Sequence, residues 1–280
     1  MAAMHNRTGR HRKKSRRKTN GWYLLILLLC AVAIWFGGSL WYAALTMPTQ
    51  RPDTRTSGED FRPQVGDPPY RVVIDAGHGG SDPGAVGVVV EKDITAATAA
   101  ALNVWLEQDP NYIPLQTRDN DDETLTPAQR AARASVQAPQ LLLSIHGNSA
   151  SGGSTASGFE CYPSVPGRVW HQESLYFAHL LADGMQRNGA SLRGRGGVRY
   201  IYYKEDGQKQ LVESTHTEVR EERSFTLLED VDCPAVLAEQ CFVTSEADVE
   251  RFGSEHGCRT VARVYYEAIC NYFGTQPLAE

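Results

Sequence analysis

The stretch RVVIDAGHGG, from Arg71 to Gly80, decides the fold class because a short apolar run leads directly into a glycine-rich loop. Arg71 to Asp75 has the length and β-branched composition of a buried strand. The glycines beyond it let the backbone turn tightly. Four further runs predict strands: Tyr112 to Thr117, Gln140 to Ile145, Gly158 to Tyr162 and Ala235 to Glu239.

Longer segments with helical periodicity alternate with these strands. The predicted helices are Ile94 to Leu106, Pro127 to Val136, Trp170 to Arg187 and Val249 to Phe273. Such alternation predicts an α/β fold with a mixed, mostly parallel central sheet and helices on both faces.

Two histidines and a glutamate are candidate ligands for one zinc ion. His78 and His146 each follow the carboxyl end of a predicted strand, and Glu91 begins the first helix. Catalytic zinc commonly takes two His and one carboxylate and leaves its fourth position to water. Asp75 is a candidate acceptor for the other imidazole N–H of His78. A glycine-rich loop also suits phosphate, but the chain has no GK[ST] or GxGxxG motif, which argues against a nucleotide site.

Glu239 is a candidate proton carrier. It ends the apolar run Ala235 to Ala238, where an ionised carboxylate is costly unless it is paired. Burial would raise its pKa towards the range of a general acid or base. The alternative is a salt bridge at the end of a strand.

The first 69 residues predict a membrane anchor and a tether. Residues 1–20 carry eight Lys or Arg and no acid, and residues 21–47 contain no charged residue. A bilayer span needs about 20 apolar residues, and flanking positive charge stays on the cytoplasmic side. We therefore expect a single-pass cell-membrane protein with a cytoplasmic tail (1–20), a transmembrane signal anchor (21–47), a proline-rich linker (48–69) and one extracytoplasmic domain (70–275). A signal peptide cleaved near Ala43 and Ala44 is the alternative.

Charge and cysteine usage narrow the function classes. The first twenty residues carry a charge of +8 and the remainder −13, so a nucleic-acid partner is not expected. Five cysteines follow the apolar span, an odd number that would leave at least one unpaired within the chain. The absence of a CxxC pair argues against a thiolate zinc site.

The chain resembles the zinc-dependent N-acetylmuramoyl-L-alanine amidases of the Amidase_3 type. The resemblance rests on RVVIDAGHGGSDPGAVG, EKD, TRDNDD, SIHGNSA, SGFECY, GRGGVRY and CPAVLAEQCFVTSEAD, in the family's order. It implies a phosphorylase/hydrolase-like fold and cleavage of the amide between N-acetylmuramic acid and L-alanine in peptidoglycan. It also implies one zinc ion held by His78, Glu91 and His146, with Glu239 as general acid/base.

Two residues and one long segment are candidates for substrate contact and regulation. Asn148 of SIHGNSA and Arg195 of GRGGVRY are candidate substrate-binding residues, although a surface salt bridge would equally account for Arg195. Residues 203–224 form an acidic stretch longer than the family's usual connection, which indicates either a lid beside the site or a disordered loop. A protein activator is a further expected partner. The alternative functions are a non-catalytic wall-binding or scaffold protein with an amidase fold, and a zinc carboxypeptidase acting on stem peptides.

Overall fold

The computed structural model describes residues 61–152 and 154–279, which form a layered α/β domain. Seven strands are present: β1 (Tyr70–Ala76), β2 (Tyr112–Gln116), β3 (Leu141–Asn148), β4 (Glu160–Pro163), β5 (Arg199–Tyr203), β6 (Lys209–Glu213) and β7 (Ala235–Phe242). The five predicted strands are therefore confirmed, with shifts of three residues or fewer at their ends.

Five strands form the central sheet in the order β2-β1-β3-β7-β4. All neighbouring pairs are parallel except β4 with β7, which is antiparallel. The prediction of a mixed, mostly parallel sheet is confirmed. β3 lies at the centre of the order, so the two strands that carry most of the site, β3 and β7, are adjacent.

Alternate residues of the central strands enter two separate cores. Val72 and Ile74 of β1 belong to the larger core, and Val73 between them belongs to the smaller one. β3 repeats this pattern, since Leu141 and Leu143 join the larger core and Leu142 the smaller. Continuous apolar runs are typical of strands buried on both faces.

Helices cover both faces of the sheet. The longer ones are α1 (Glu91–Gln108), α2 (Pro127–Val136), α3 (His171–Arg187) and α6 (Glu255–Phe273), and the short ones are α4 (Thr226–Asp230) and α5 (Glu246–Asp248). α1, α3 and α6 contribute to the larger core, and α2 and α4 to the smaller. α2 begins at its predicted residue because Thr126 and Gln129 form a capping box around Pro127.

The predicted helix from Val249 to Phe273 is wrong at its amino-terminal end. Val249–Gly253 form a π-helical turn, and Ser254 then adopts an extended conformation before α6 begins. The side chain of Ser254 accepts a hydrogen bond from the backbone N–H of Gly257. A Cβ on Gly257 would lie 2.7 Å from the backbone of Arg251 and Phe252, so the preceding turn packs directly against the start of α6.

Residues 203–224 are not a disordered loop. Within this stretch β6 pairs with β5 in an antiparallel hairpin, with Tyr203 opposite Lys209 and Ile201 opposite Leu211. Arg223 returns to bridge Tyr203. The hairpin forms a second, two-stranded sheet beside the central one.

The predicted tail at 1–20 and membrane span at 21–47 lie outside the described residues. No helix within the described ranges is both long and apolar enough to cross a membrane. Of the predicted linker, residues 61–69 are described and contain almost no regular structure. The ring of Phe61 lies 5.9 Å from that of Tyr176, and Val65 packs against the larger core, so this end of the linker contacts the domain.

Candidate metal centre

The candidate site lies where the smaller-core face of the sheet reaches the carboxyl ends of β1, β3 and β7. Residues that continue this face are polar instead of apolar: Asp75 on β1, Ser144 and His146 on β3, and Glu239 on β7. Open α/β sheets generally bind ligands at this edge. Strand alternation therefore brings these side chains to one side of the sheet.

His78, Glu91 and His146 come together as one cluster. Oε1 of Glu91 lies 3.0 Å from Nε2 of His78 and 2.9 Å from Nδ1 of His146. The candidate ligand atoms of the three residues all lie within 4.8 Å of one another. Two imidazole nitrogens and a carboxylate oxygen are the donor types that catalytic zinc takes. The residues present therefore fit a single zinc ion.

The backbone around the cluster holds Glu91 in place. Its Oε1 accepts a hydrogen bond from the N–H of Gly147, and its Oε2 accepts one from Ala85. Burial raises the pKa of Glu91, but hydrogen bonds from His146 and His78 outweigh that effect and hold the pKa well below its usual range. Glu91 is therefore a charged carboxylate at the start of α1.

Two glycines leave the space that the imidazole rings of His78 and His146 occupy. A Cβ on Gly77 would lie 2.5 Å from the ring of His146, and one on Gly84 would lie 2.6 Å from the ring of His78. His78 itself has a positive φ of 62°, which turns it away from the direction of β1. His146 lies inside β3, not after it as predicted, because the strand continues to Asn148 through an irregularity in its pairing with β7.

Asp82, not Asp75, contacts the other nitrogen of His78. Oδ2 of Asp82 lies 2.9 Å from Nδ1 of His78, and its Oδ1 accepts a hydrogen bond from the N–H of Gly84. Burial lowers the pKa of His78, but the carboxylates of Glu91 and Asp82 outweigh it and raise the pKa to about 9. The prediction for Asp75 is wrong because the left-handed turn at His78 carries the imidazole towards its own loop.

Asp75 is instead the centre of a buried polar network. It is fully buried and accepts hydrogen bonds from Thr117, from Ser144 at 2.7 Å and from Nη1 of Arg130 at 2.8 Å. Arg130 also donates to the backbone carbonyls of Ala76 and His78. Arg130 thus connects α2 to the loop that carries His78.

Glu239 lies beside His146 on the neighbouring strand. The two residues are register partners between β3 and β7. Within the described residues, Oε2 of Glu239 is buried and has no hydrogen-bond partner. Burial raises the pKa of Glu239 to about 7, with the neighbouring charge of His146 opposing the rise and Glu91 and Glu160 adding to it. The alternative interpretation of Glu239 as a strand-end salt bridge is wrong, since no ion pair forms there in the described part of the chain.

Glu160 is a buried carboxylate that the sequence interpretation missed as a site residue. It is the register partner of Glu239 on β4 and is 3% exposed. Its Oε2 accepts a hydrogen bond from Arg199 at 2.8 Å, and its Oε1 accepts one from Nδ2 of Asn148 at 2.6 Å. Its position two residues before Tyr162 in GFECY, on the smaller-core face, was the available signal.

A cavity of about 1010 Å³ opens above these side chains. His78, Glu91, His146 and Glu239 all contribute to its lining, and so does Asn148, one of the two predicted substrate contacts. Arg195 does not line it. The guanidinium two residues earlier does, because Arg193 extends over the ring of Phe242 at 4.9 Å, whereas the backbone N–H of Arg195 is bound to Glu213.

Two further observations concern other possible metal sites and the cysteines of the domain. Within the described ranges, the single group of residues able to hold a metal is the His78–Glu91–His146 cluster. The five cysteines of the domain are free and buried, so none of them pairs within it.

A family model and several known proteins match most of the domain. The model of the Amidase_3 family, described as N-acetylmuramoyl-L-alanine amidase, matches residues 72–271. The chain is 33% identical over 205 residues to YqiI of Bacillus subtilis, an uncharacterised protein, covering 72% of this chain and 84% of YqiI. It is 27% identical over 207 residues to the N-acetylmuramoyl-L-alanine amidase CwlM of Bacillus licheniformis, covering 72% of this chain and 68% of CwlM.

A solved structure has the same fold. The catalytic domain of CwlV, an N-acetylmuramoyl-L-alanine amidase from Bacillus (Paenibacillus) polymyxa var. colistinus, superposes with a TM-score of 0.58 at 27% identity. The match covers 74% of this chain and 99% of the CwlV domain.

Proposed function

The chain belongs to the Amidase_3 family of N-acetylmuramoyl-L-alanine amidases, and on that premise we propose a zinc-dependent hydrolysis of peptidoglycan in which Glu239 transfers the proton. The bond cleaved joins the lactyl group of N-acetylmuramic acid to L-alanine of the stem peptide. The observation that carries the proposal is the His78–Glu91–His146 cluster with a buried, unpaired carboxylate on the adjacent strand.

The three clustered residues would hold the metal. When bound, zinc supplies Lewis acidity that polarises a carbonyl and lowers the pKa of water towards about 7. Asp82 orients His78 through its other ring nitrogen. The Gly147 and Ala85 N–H groups orient Glu91. These supporting contacts fix the donor atoms before the substrate arrives.

Glu239 would move the proton of the reaction. Its carboxylate accepts a proton from the attacking water, whose oxygen forms the new bond to the carbonyl carbon. It then returns that proton to the nitrogen as the C–N bond breaks, so that the peptide leaves as a free amine. Burial raises the pKa of Glu239 above the ordinary value of a glutamate, which favours a group that first takes up and then releases a proton.

Product analysis tests the reaction. Full-length protein is incubated with peptidoglycan and zinc, and new amino termini are identified by mass spectrometry. We expect L-alanine termini from the wild type, about a hundredfold fewer from Glu239→Gln, and wild-type release from Glu246→Gln, which removes an exposed carboxylate.

Other products would contradict the proposal. Release of carboxyl-terminal amino acids would indicate a stem-peptide carboxypeptidase. Retained wall binding with no release from any variant would indicate a non-catalytic wall-binding protein.

The amino-terminal region supports a proposal about location. A basic segment at 1–20 followed by an uncharged run at 21–47 is typical of a signal anchor with a cytoplasmic amino terminus. The domain would then act on the wall from the outer face of the cell membrane.

A fold neighbour, the CwlD amidase of Clostridioides difficile, was solved in complex with the GerS lipoprotein, at 22% identity and a TM-score of 0.55. We accordingly keep a protein activator as a proposed partner.

A further inference from the structure

The β5–β6 hairpin has two different faces. On one face, Tyr200, Tyr202 and Val212 of the hairpin pack with Val165 into a small separate core. The intervening side chains line the catalytic cavity: Ile201, Tyr203, Lys209 and Leu211. This alternation follows from the strand period of two, so the face turned to the cavity is set by the buried face. The hairpin is therefore a wall of the cavity.

Tyr203 of this wall belongs to a group of aromatic rings that links the hairpin to the central sheet. The ring of Phe225 lies 6.0 Å from that of Tyr203 and 5.5 Å from that of Tyr162 on β4, in edge-on arrangements. Nζ of Lys209 lies 5.9 Å from the centre of the Tyr203 ring and 5.8 Å from that of Phe225. Such cation–π contacts favour an ammonium positioned over the rings.

Lys209 differs from the other cations of the cavity in forming no ion pair, although its charge acts on Glu239 across the cavity and lowers the pKa of that carboxyl. Arg130 is paired with Asp75, Arg193 contacts Glu160 at 3.4 Å, and Arg223 contacts Asp230. Among the described residues, no carboxylate forms an ion pair with Lys209. Its ammonium is therefore available to an anionic ligand in the cavity.

We propose that Lys209, supported by Tyr203 and Phe225, binds a free carboxylate of the stem peptide and makes the enzyme prefer stems whose carboxylates are not amidated. Glu239 lines the same cavity without an ion-pair partner among the described residues, so an anionic peptide bound beside it needs a compensating cation. The apolar side chains Ile201 and Leu211 flank Lys209 on the same face and can contact the aliphatic parts of the stem. This inference rests on the proposed function and adds its substrate preference.

The test compares two soluble muropeptides that differ only in whether the stem carboxylates are free or amidated. For the full-length wild type we expect kcat/KM to be about tenfold higher on the free form, as a charge-assisted hydrogen bond permits. Lys209→Met should remove this preference by raising KM for the free form. Lys204→Met, at an exposed position in the turn of the same hairpin, should keep it.

Two results would overturn the assignment. One is a Lys209→Met enzyme that retains the wild-type preference, and the other is equal activity of the wild type on both muropeptides.

Binding distinguishes failure of this inference from failure of the proposed function. Calorimetry on the Glu239→Gln protein, with and without Lys209→Met, measures affinity for the two muropeptides without turnover. Tighter binding of the free form that depends on Lys209 supports the subsite even if no amide is cleaved. If neither Lys209→Met nor amidation of the stem changes the affinity, the carboxylate subsite is rejected even if the amidase reaction is confirmed.

Discussion

At the scale of single residues, two aspartates of one motif have separate functions. In DAGHGGSD, Asp75 is fully buried and pairs with Arg130, whereas Asp82 is half exposed and contacts His78. The first contact joins α2 to β1 and the second orients a candidate ligand. Substitutions at the two positions should therefore have different consequences.

Replacing Asp82 should weaken metal binding more than it weakens the fold. Asp82→Ala leaves Nδ1 of His78 without its carboxylate partner, and loss of such a supporting contact typically lowers metal affinity by about 10- to 100-fold. Competition with a chromophoric chelator measures the affinity. Asp121→Ala, which removes an exposed carboxylate from the adjacent loop, is the matched control. Unchanged zinc affinity in Asp82→Ala would contradict the assignment.

Replacing Asp75 should reduce stability in a manner that depends on pH. Burial raises the pKa of Asp75, but Arg130, Thr117 and Ser144 outweigh it and hold the pKa below its ordinary value. The stabilisation is therefore present above the unfolded pKa of about 3.9 and is lost as the pH falls through the folded pKa. Asp75→Asn leaves Arg130 buried without its charge partner, at a cost of about 3 kcal/mol at pH 7.

Urea unfolding measures this effect between pH 3 and pH 7. The difference in free energy of unfolding between wild type and Asp75→Asn should narrow below about pH 4. Asp119→Asn, whose side chain is 88% exposed in the wild type, should differ little from wild type throughout. A difference for Asp75→Asn that is constant with pH would exclude a charged Asp75.

At the scale of elements, the ends of helices and the faces of strands place the site. α1 begins at Glu91, which puts that carboxylate at the helix amino terminus, where the dipole favours negative charge. The β5–β6 hairpin presents alternate residues to its own core and to the cavity. The position of Glu91 depends on where α1 begins, and the residues facing the cavity depend on the register of the hairpin. Helix limits and strand register therefore determine the geometry of the site as well as the stability of the fold.

The cap of α6 offers a test at this scale. Ser254→Ala removes the hydroxyl that accepts a hydrogen bond from Gly257, and a lost N-cap of this type costs about 1 kcal/mol. Thr260→Ala removes a hydroxyl inside the same helix that only donates to the carbonyl of His256, so it should be nearly neutral. Denaturant unfolding of both variants gives the comparison. Equal loss of stability in the two would show that Ser254 does not act as a cap.

At the scale of the whole molecule, the predicted anchor would concentrate the enzyme at the cell surface. The described end of the linker contacts the domain through Phe61 and Val65. An anchor at 21–47 would tether the domain to the cell membrane through the linker. The wall substrate would then be met at the cell surface.

Removing residues 1–47 should change location but not intrinsic rate. We expect the shortened chain to leave the membrane fraction, to keep its kcat/KM on a soluble muropeptide and to hydrolyse wall more slowly in cells. Fractionation and the muropeptide assay measure the first two. If amino-terminal sequencing of the native protein began just beyond Ala44, the segment would be a cleaved signal peptide and the anchor would be wrong.

The sequence by itself determined the five strands of the central sheet, most helix limits and the members of the metal cluster, but not β5 and β6. Apolar runs are typical of strands buried on both faces, so RVVID and LLLSI were predicted as strands, and the resemblance to the amidase motifs implied the roles of His78, Glu91, His146 and Glu239. These features depend on local composition and spacing. They are readable without knowing which segments meet.

The tertiary structure alone decided which side chains meet across segments. In the structure His78 contacts Asp82 instead of Asp75, because the left-handed backbone at His78 turns the imidazole back to its own loop. It placed Glu160 beside Glu239 through antiparallel pairing, and it replaced Arg195 by Arg193 at the cavity. It also turned the acidic stretch at 203–224 into a wall carrying Lys209. Register, backbone handedness and the pairing of distant strands set these contacts, so composition and spacing alone did not predict them.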